Sequence, residues 1–373
     1  MGGNTGRFFR LEFKKRLSYR SEERKGKEGN KVKILSIEGS TGNSEIIVNT
    51  PFIIAKELLE DERTFIITDT NVRALYEKDF PPGEIITIGT GEKIKTLRTV
   101  EQIYKKLVEL EADRSSFILG IGGGIVCDIA GFAASTYMRG VRFGFIASTL
   151  LAQADAAIGG KNGVNFEGYK NMIGIFKQPE FVICDPAMLR TLPERELKTG
   201  FAEIIKHALI SSSELFEYLV KNNKKALDLN PEIIEDLVYH SVSIKSEIVN
   251  RDESEKGERR KLNFGHTIAH ALEKTTELTH GEAVAAGIGI SSKLSMKYSN
   301  LSAGDETKIH ELLKQFDLNR KISFSCSDVK KAIRKDKKRE KEIIYCIMLK
   351  KIGESIIKEI PITVMEGIID DMY

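Results

Sequence analysis

The chain has 373 residues, of which 41% are hydrophobic and 30% charged, with a formal net charge of +3. A balance so close to neutral leaves no electrostatic footprint for nucleic acid, and no apolar run approaches the ~20 residues that span a bilayer. The length exceeds the ~250–300 residues at which a single core stops growing, so two domains are expected.

Residues 1–31 carry ten Lys or Arg and four Glu. They lack the apolar segment of a secretory signal and are expected to form a basic, disordered tail outside the fold. Four cysteines, Cys127, Cys184, Cys326 and Cys346, are scattered without a CxxC pair. Three lie in strand-like apolar runs and Cys127 in a glycine turn, which predicts reduced packing cysteines in a cytoplasmic protein.

From residue 32 strands and helices alternate. KVKILSI and SEIIVNT are β-branched runs separated by Gly39–Asn43, the pattern of a hairpin, and FIIAKELL has helical spacing. TFIIT then reads as a buried strand ending on Asp69, Thr70 and Asn71. Polar residues directly after a parallel strand lie at the edge where α/β sheets bind ligands, although Asp69 or Thr70 also suits a helix N-cap. Strand ITIG, the charged turn Gly91-Glu92-Lys93 and a helix over 96–111 follow. SFILGI runs into Gly122, Gly123 and Gly124, then Asp128. Glycines there let the backbone approach a pyrophosphate, and the next helix points its N–H groups at it. The spacing is not GxGxxG, so the common dinucleotide fingerprint fails. FGFIAST is a further strand, ending on Ser148 and Thr149. The polar tract 153–171, with Asp155, Lys161, Lys170 and Asn171, suits a loop gripping phosphate and hydroxyls. FVICDP supplies the last strand of the sheet.

Beyond Pro193 the spacing turns helical over 194–226, 231–251, 262–275, 281–299 and 304–316; strand pattern returns only in EIIYCIML and IIKEI. The predicted organisation is a tail over 1–31, a Rossmann-like nucleotide-binding α/β domain over 32–188, and a mainly helical metal- and substrate-binding domain over 189–373. Three of the six histidines, His266, His270 and His280, fall within residues 259–282. His266 and His270 are one helical turn apart and share a face. Upstream, GFAEIIKHAL carries Glu203, Lys206 and His207. A carboxylate beside a lysine on a helix is ordinarily a solvated pair, but with two imidazoles it completes a three-ligand site with open positions, the arrangement of catalytic zinc. Spacing leaves open which two histidines are ligands. Lys245 and Arg259 add cations for an anionic substrate, Asn263 precedes His266 by a turn, and RKDKK at 334–338 is a late basic cluster. A nucleotide-binding sheet with a Lewis-acid metal and cationic clamps points to redox chemistry on a hydroxyl.

Six motifs, in order, carry a resemblance: GGGIVCDIAGFAASTYMRG, STLLAQADAAIGGKNGVN, KNMIGIF, TLPERELKTGFAEIIKH, NFGHTIAHALE and HGEAVAAG. Across roughly residues 50–355 the chain resembles the 3-dehydroquinate synthases of the sugar phosphate cyclase superfamily. The resemblance implies a dehydroquinate synthase-like fold and a divalent metal, zinc with cobalt as the alternative, held by Glu203, His266 and His280. His270 and Glu255 then match proton-transfer positions, with Lys206 beside them. For NAD the matching positions are Asp69, Thr70 and Asn71, Glu92 and Lys95, then Gly123, Gly124, Ile125 and Asp128. Ser148, Thr149 and Lys170 follow, with the run Met188, Leu189, Arg190 and Thr191. For a sugar-phosphate substrate they are Asp155, Lys161, Asn171, Lys245, Arg259, Asn263 and Lys337. Arg139 matches a residue that family members donate across a homodimer interface.

The reaction so implied is transient oxidation of a hydroxyl of 3-deoxy-D-arabino-heptulosonate 7-phosphate by NAD, phosphate elimination, return of the hydride and intramolecular aldol closure. 2-Deoxy-scyllo-inosose and 2-epi-5-epi-valiolone synthases share the scaffold, but Asn263 and His270 carry the dehydroquinate synthase identities. The Glu203–His207 spacing resembles the metal motif of iron-dependent alcohol and glycerol dehydrogenases. No nucleic-acid or membrane partner is expected.

Overall fold

The computed structural model describes residues 32–320, 324–334, 339–340 and 343–370. The basic tail 1–31 and Lys337 lie outside the described residues. Strands β1 (Lys33–Gly39) and β2 (Gly42–Val48) form the expected hairpin, with Gly39 paired to Gly42 across the turn. β3 (Thr64–Asp69), β4 (Glu84–Ile88), β5 (Phe117–Gly122) and β6 (Arg142–Ala147) follow, then the pair β7 (Lys161–Phe166) and β8 (Tyr169–Phe176), and β9 (Phe181–Cys184). Seven strands join in the order β1-β2-β9-β6-β5-β3-β4. All neighbours are parallel except β1 and β2.

Along β2 and β3, Ile46, Val48, Phe65 and Ile67 enter one apolar cluster, while Ile47 and Ile66 enter another on the opposite face. Side chains alternate across a strand, so a sheet buried on both faces reads as near-continuous apolar runs. The larger cluster continues without a break into Phe201, Leu237 and Ile288 of the helical half.

From β3 to β6 the successive strands are connected by α1 (Thr70–Tyr76), α2 (Leu97–Glu109) and α3 (Gly124–Thr136). The chain leaves β3 toward β4 on one side, then returns to place β5 on the other. The strand order therefore reverses between β3 and β5, and the crevice beyond their carboxyl ends is where doubly wound sheets bind ligands. Asp69 ends β3 and Gly122 ends β5, so both polar turns singled out in the sequence meet there.

The helical half comprises α4 (Glu194–Ser211), α5 (Ser213–Leu227), α6 (Pro231–Arg251), α7 (His266–Thr275), α8 (His280–Ser299), α9 (Ala303–Gln315) and α10 (Cys326–Arg334). β10 (Arg339–Glu340), β11 (Ile343–Lys351) and β12 (Glu354–Pro361) make a small antiparallel sheet before α11 (Ile362–Asp370).

Several local expectations are corrected. FIIAKELL is helical as expected, though split into a 3₁₀ turn and a single α-helical turn. The tract 153–171 is not a loop: after a π-helical turn over 152–156 it enters the β7–β8 hairpin. Gly163 and Gly174 face each other there, and a Cβ on either would lie 2.6 Å from a carbonyl oxygen of the other strand, so glycine permits the pairing. β9 is the last of the seven strands along the chain yet sits inside the sheet, between β2 and β6. Cys127 lies within α3, and Cys326 opens α10 instead of joining a strand. All four cysteines are free thiols.

Candidate active site

A cleft of about 1,110 Å³ runs from the switch point of the sheet to the histidine stretch. On the sheet side, Asp69 accepts the amides of Asn71 and Val72 at 2.9 and 3.0 Å, so it caps α1 as expected. Gly123 caps α3 with no side-chain acceptor, so the first-turn amides of that helix remain available to an anion. Lys95 is buried; its ammonium pairs with Asp128 and donates to Asn171 Oδ1 at 2.5 Å. Burial pushes the Asp128 carboxyl up, and Lys95 opposes that. The hairpin is fastened to the same place: Asn165 donates to Glu92 at 2.7 Å and accepts the Asn171 amide at 2.8 Å. Ile125, Ser148, Thr149, Lys170 and Thr191 also line the cleft. Thr70 and Arg190 are exposed, while Met188 and Leu189 are buried beside it. Tyr76, which sequence reasoning passed over, lines the wall and bonds Thr191 Oγ1 at 2.6 Å.

On the helical side the charged groups are buried. Glu203 on α4 is completely inaccessible, and Lys206, one turn on, lies 2.5 Å from its Oε2. The pair is therefore not the ordinary solvated one, because α4 is buried around its whole circumference from Thr199 to Ile210. Burial opposes the Glu203 charge, but Lys206 and the adjacent imidazoles hold its carboxyl well below the usual carboxylate range. The Lys206 ammonium is disfavoured by burial, yet Glu203 and Asp155 raise its pKa.

Two imidazoles converge on Glu203 Oε1, His280 Nε2 at 3.1 Å and His266 Nε2 at 3.5 Å. Glycines allow that approach. A Cβ at Gly281 would lie 2.3 Å from Thr199 Cα on α4, and one at Gly287 would lie 2.1 Å from the Gly265 carbonyl. A capping box, Thr279 with Glu282, starts α8 at His280. The second nitrogen of each ring is engaged as well: His266 Nδ1 lies 3.2 Å from the Phe264 carbonyl, and His280 Nδ1 lies 3.1 Å from Glu273 Oε1. With Nδ1 held as the donor, the proton on Nε2 is the one a cation would displace, which would leave each Nε2 as the ligand atom, the tautomer that a metal-binding histidine needs. One ligand atom from each of Glu203, His266 and His280 falls within 4.8 Å of the others. These donors suit a divalent cation of the zinc type. Burial opposes a proton on His280, but Glu203 and Glu273 outweigh it and push the imidazole up to about 9.

His270 faces the cleft edge-on to His266, ring centroids 5.6 Å apart. His207 is turned away from this cluster, with Nδ1 2.7 Å from Ser241 Oγ and Nε2 3.4 Å from Asp155. Asp155 also receives Lys245 at 2.5 Å. Burial opposes its charge, but Lys245 and Lys206 hold it well below the usual range. Arg259 is 1% exposed and donates to the carbonyls of Glu253 and Gly159 at 2.5 and 2.8 Å. Glu255 pairs with Lys161 and accepts from Asn263. Its φ of 60° and that of Asn171, 51°, lie in the left-handed region, which costs a non-glycine residue about 1–3 kcal/mol and persists where surrounding structure imposes it. Arg139 stands on the surface outside the cleft with φ 68°. Glu273 was missed; its signal was only an acidic residue on the helix of His266 and His270.

The family described as "3-dehydroquinate synthase N-terminal" matches residues 85–199, and "3-dehydroquinate synthase C-terminal" matches residues 200–339. The 3-dehydroquinate synthase of Leptospira interrogans is 40% identical over 331 residues, 86% of this chain and 89% of that protein. Among solved structures, a 2-deoxy-scyllo-inosose synthase complexed with carbaglucose-6-phosphate, NAD⁺ and Co²⁺ superposes with a TM-score of 0.81 at 23% identity, covering 91% of this chain and all of that one (100%). The 2-epi-5-epi-valiolone synthase from Streptomyces hygroscopicus, with NAD⁺ and Zn²⁺ bound, also gives 0.81, at 24% identity, covering 93% of this chain and 100% of that one.

Proposed function

The chain belongs to the 3-dehydroquinate synthase family, and from that premise we propose that it converts 3-deoxy-D-arabino-heptulosonate 7-phosphate to 3-dehydroquinate and phosphate by a division of labour across one cleft. The supporting observation is the convergence of Glu203, His266 and His280 opposite the glycine turn at Gly123, with buried cations between them. Glu203, His266 and His280 hold a divalent metal, zinc or cobalt, and the sheet edge holds NAD. When bound, the metal polarises a substrate hydroxyl and the nicotinamide takes and later returns a hydride.

The residues do the rest. Lys206, Lys245, Arg259 and Lys161 supply positive charge for the carboxylate and phosphate of the substrate, and Asp155 keeps the Lys245 ammonium in place. Asn263 and Asn171 orient hydroxyls. His270, beside the ligand His266, accepts and returns a proton, and Glu255 serves a second proton transfer. Elimination of phosphate needs an acidic C–H next to a carbonyl, so a site that makes the ketone first and removes it afterwards is chemically required. Because the hydride returns each turnover, NAD acts as a catalyst.

We place Lys337 at the substrate as well, and read the chain as two domains meeting near residue 188. Arg139 would serve the neighbouring site of a homodimer, in the cytoplasm; no described helix is long and apolar enough to cross a membrane. Purified protein given the heptulosonate phosphate, NAD⁺ and Zn²⁺ should release phosphate and dehydroquinate with no net change in nicotinamide absorbance. Metal-loaded protein that forms neither product, or that accumulates NADH, overturns this reading.

A further inference from the structure

Glu273 has no part in the roles just assigned, yet it touches two of them. Its side chain is 3% exposed. One oxygen, Oε1, accepts both the Lys170 ammonium at 2.7 Å and His280 Nδ1 at 3.1 Å. The other, Oε2, is buried with no hydrogen-bond partner. Lys170, the second residue of β8, stands at the edge of the cleft and is 39% exposed, whereas His280 directs its far nitrogen at Glu203. A cleft-edge cation, a buried carboxylate and a metal-facing imidazole therefore stand in line, on three different elements.

We propose that Glu273 is a positioning residue that couples occupation of the nucleotide end of the cleft to the grip of His280 on the metal. The inference rests on the reading above, in which the cleft takes NAD and the His280 cluster takes a divalent cation. Its physical basis is competition for one oxygen. A carboxylate that accepts two donors on the same atom serves each less well than it would serve one. A dinucleotide pyrophosphate at the α3 terminus draws Lys170 toward itself and leaves Glu273 to the imidazole. Stronger donation from Nδ1–H makes Nε2 a better ligand. Oε2 carries no protein partner, so the carboxylate can turn toward His280 without breaking a second bond. By linkage, metal binding must tighten NAD by the same factor.

The test measures zinc affinity by competition with a chromophoric chelator, with and without saturating NAD⁺, in the full chain. In the native sequence NAD⁺ should tighten zinc by about fivefold or more, the range of a measurable coupling. Glu273→Gln should weaken zinc about tenfold to a hundredfold, the usual loss when an outer partner of a ligand is removed, and should abolish the NAD⁺ effect. Lys170→Met should bind zinc without NAD⁺ as tightly as the native chain does with it. That variant sits at an exposed edge, so it decides the question even if Glu273→Gln folds poorly. A native chain that forms dehydroquinate but whose zinc affinity ignores NAD⁺ overturns the coupling and leaves the functional reading standing. A Lys170→Met chain that keeps the native NAD⁺ response also overturns it. Failure to form product would instead remove the premise.

Discussion

The two walls of the cleft are built from opposite materials. The sheet wall, besides the buried Lys95–Asp128 pair, relies on backbone: glycines, uncapped amides of α3, and an Asp69 cap at a strand end. The helical wall relies on buried charge, with Glu203 and Lys206 at 0% and 1% exposure and Arg259 at 1%. Backbone donors need no compensation when a ligand leaves. Buried charges do, because each loses several kcal/mol of hydration and recovers it only from its neighbours. The helical wall should therefore fail steeply when one member is removed, and the sheet wall gradually.

The steepest failure is expected for His280→Ala. Losing one of the three proposed ligands should empty the metal site, seen by elemental analysis, and lower turnover on the order of a thousandfold or more, since a bound metal contributes several kcal/mol. His270→Ala should keep its zinc and lose roughly 10²–10⁴-fold in kcat, the worth of a general acid/base; an empty site in this variant would show that His270 is a ligand.

Lys206→Met separates charge balance from chemistry. It leaves Glu203 buried without its cation, at a cost of about 3–5 kcal/mol in metal-free protein. Zinc should restore most of that, so denaturant midpoints should differ far more without metal than with it. Equal losses would contradict the compensation.

A smaller effect concerns pH. Burial lowers the Lys245 ammonium to about 8, with Arg259 and Lys206 adding to that and Asp155 opposing it. Its charge is lost above that value, so KM for the anionic substrate should rise about tenfold between pH 7 and 9, following the protonated fraction. Stability moves the other way. Unfolded lysine titrates near ~10.4, so between the two values the unfolded chain binds more protons and native stability rises with pH. A flat KM over that range would remove Lys245 from substrate binding.

The mildest change lies on the sheet wall. A Cβ at Gly124 would sit 2.9 Å from the Ala156 Cβ, and relieving such a contact costs about 1 kcal/mol. Gly124→Ala should weaken NAD about fivefold, read by fluorescence titration, with zinc unchanged.

Much of the sheet was legible in the chain because its signals are local. Apolar runs, the glycine turn after SFILGI and the polar ends of strands each follow from a few adjacent residues. The hairpin over 161–176 was not legible, since its pairing depends on Gly163 meeting Gly174 across strands. The burial of Lys206 was equally hidden: its i, i+3 spacing from Glu203 is the same for a solvated pair, and only the packing around α4 excludes water.

The histidine stretch marks the limit. By itself the sequence determined that three imidazoles, a carboxylate and several cations would share one polypeptide with a nucleotide-type sheet edge, because residue chemistry is carried by the chain. It could not decide which imidazoles meet Glu203. His266 is as near to His270 as to His280, at 5.6 and 5.8 Å between ring centroids. What separates them is the direction of each Nε2, fixed by the Phe264 carbonyl on one ring and by Glu273 on the other. Those contacts require α4, α7 and α8 to approach closely at Gly281 and Gly287, and such an approach exists only in the folded chain.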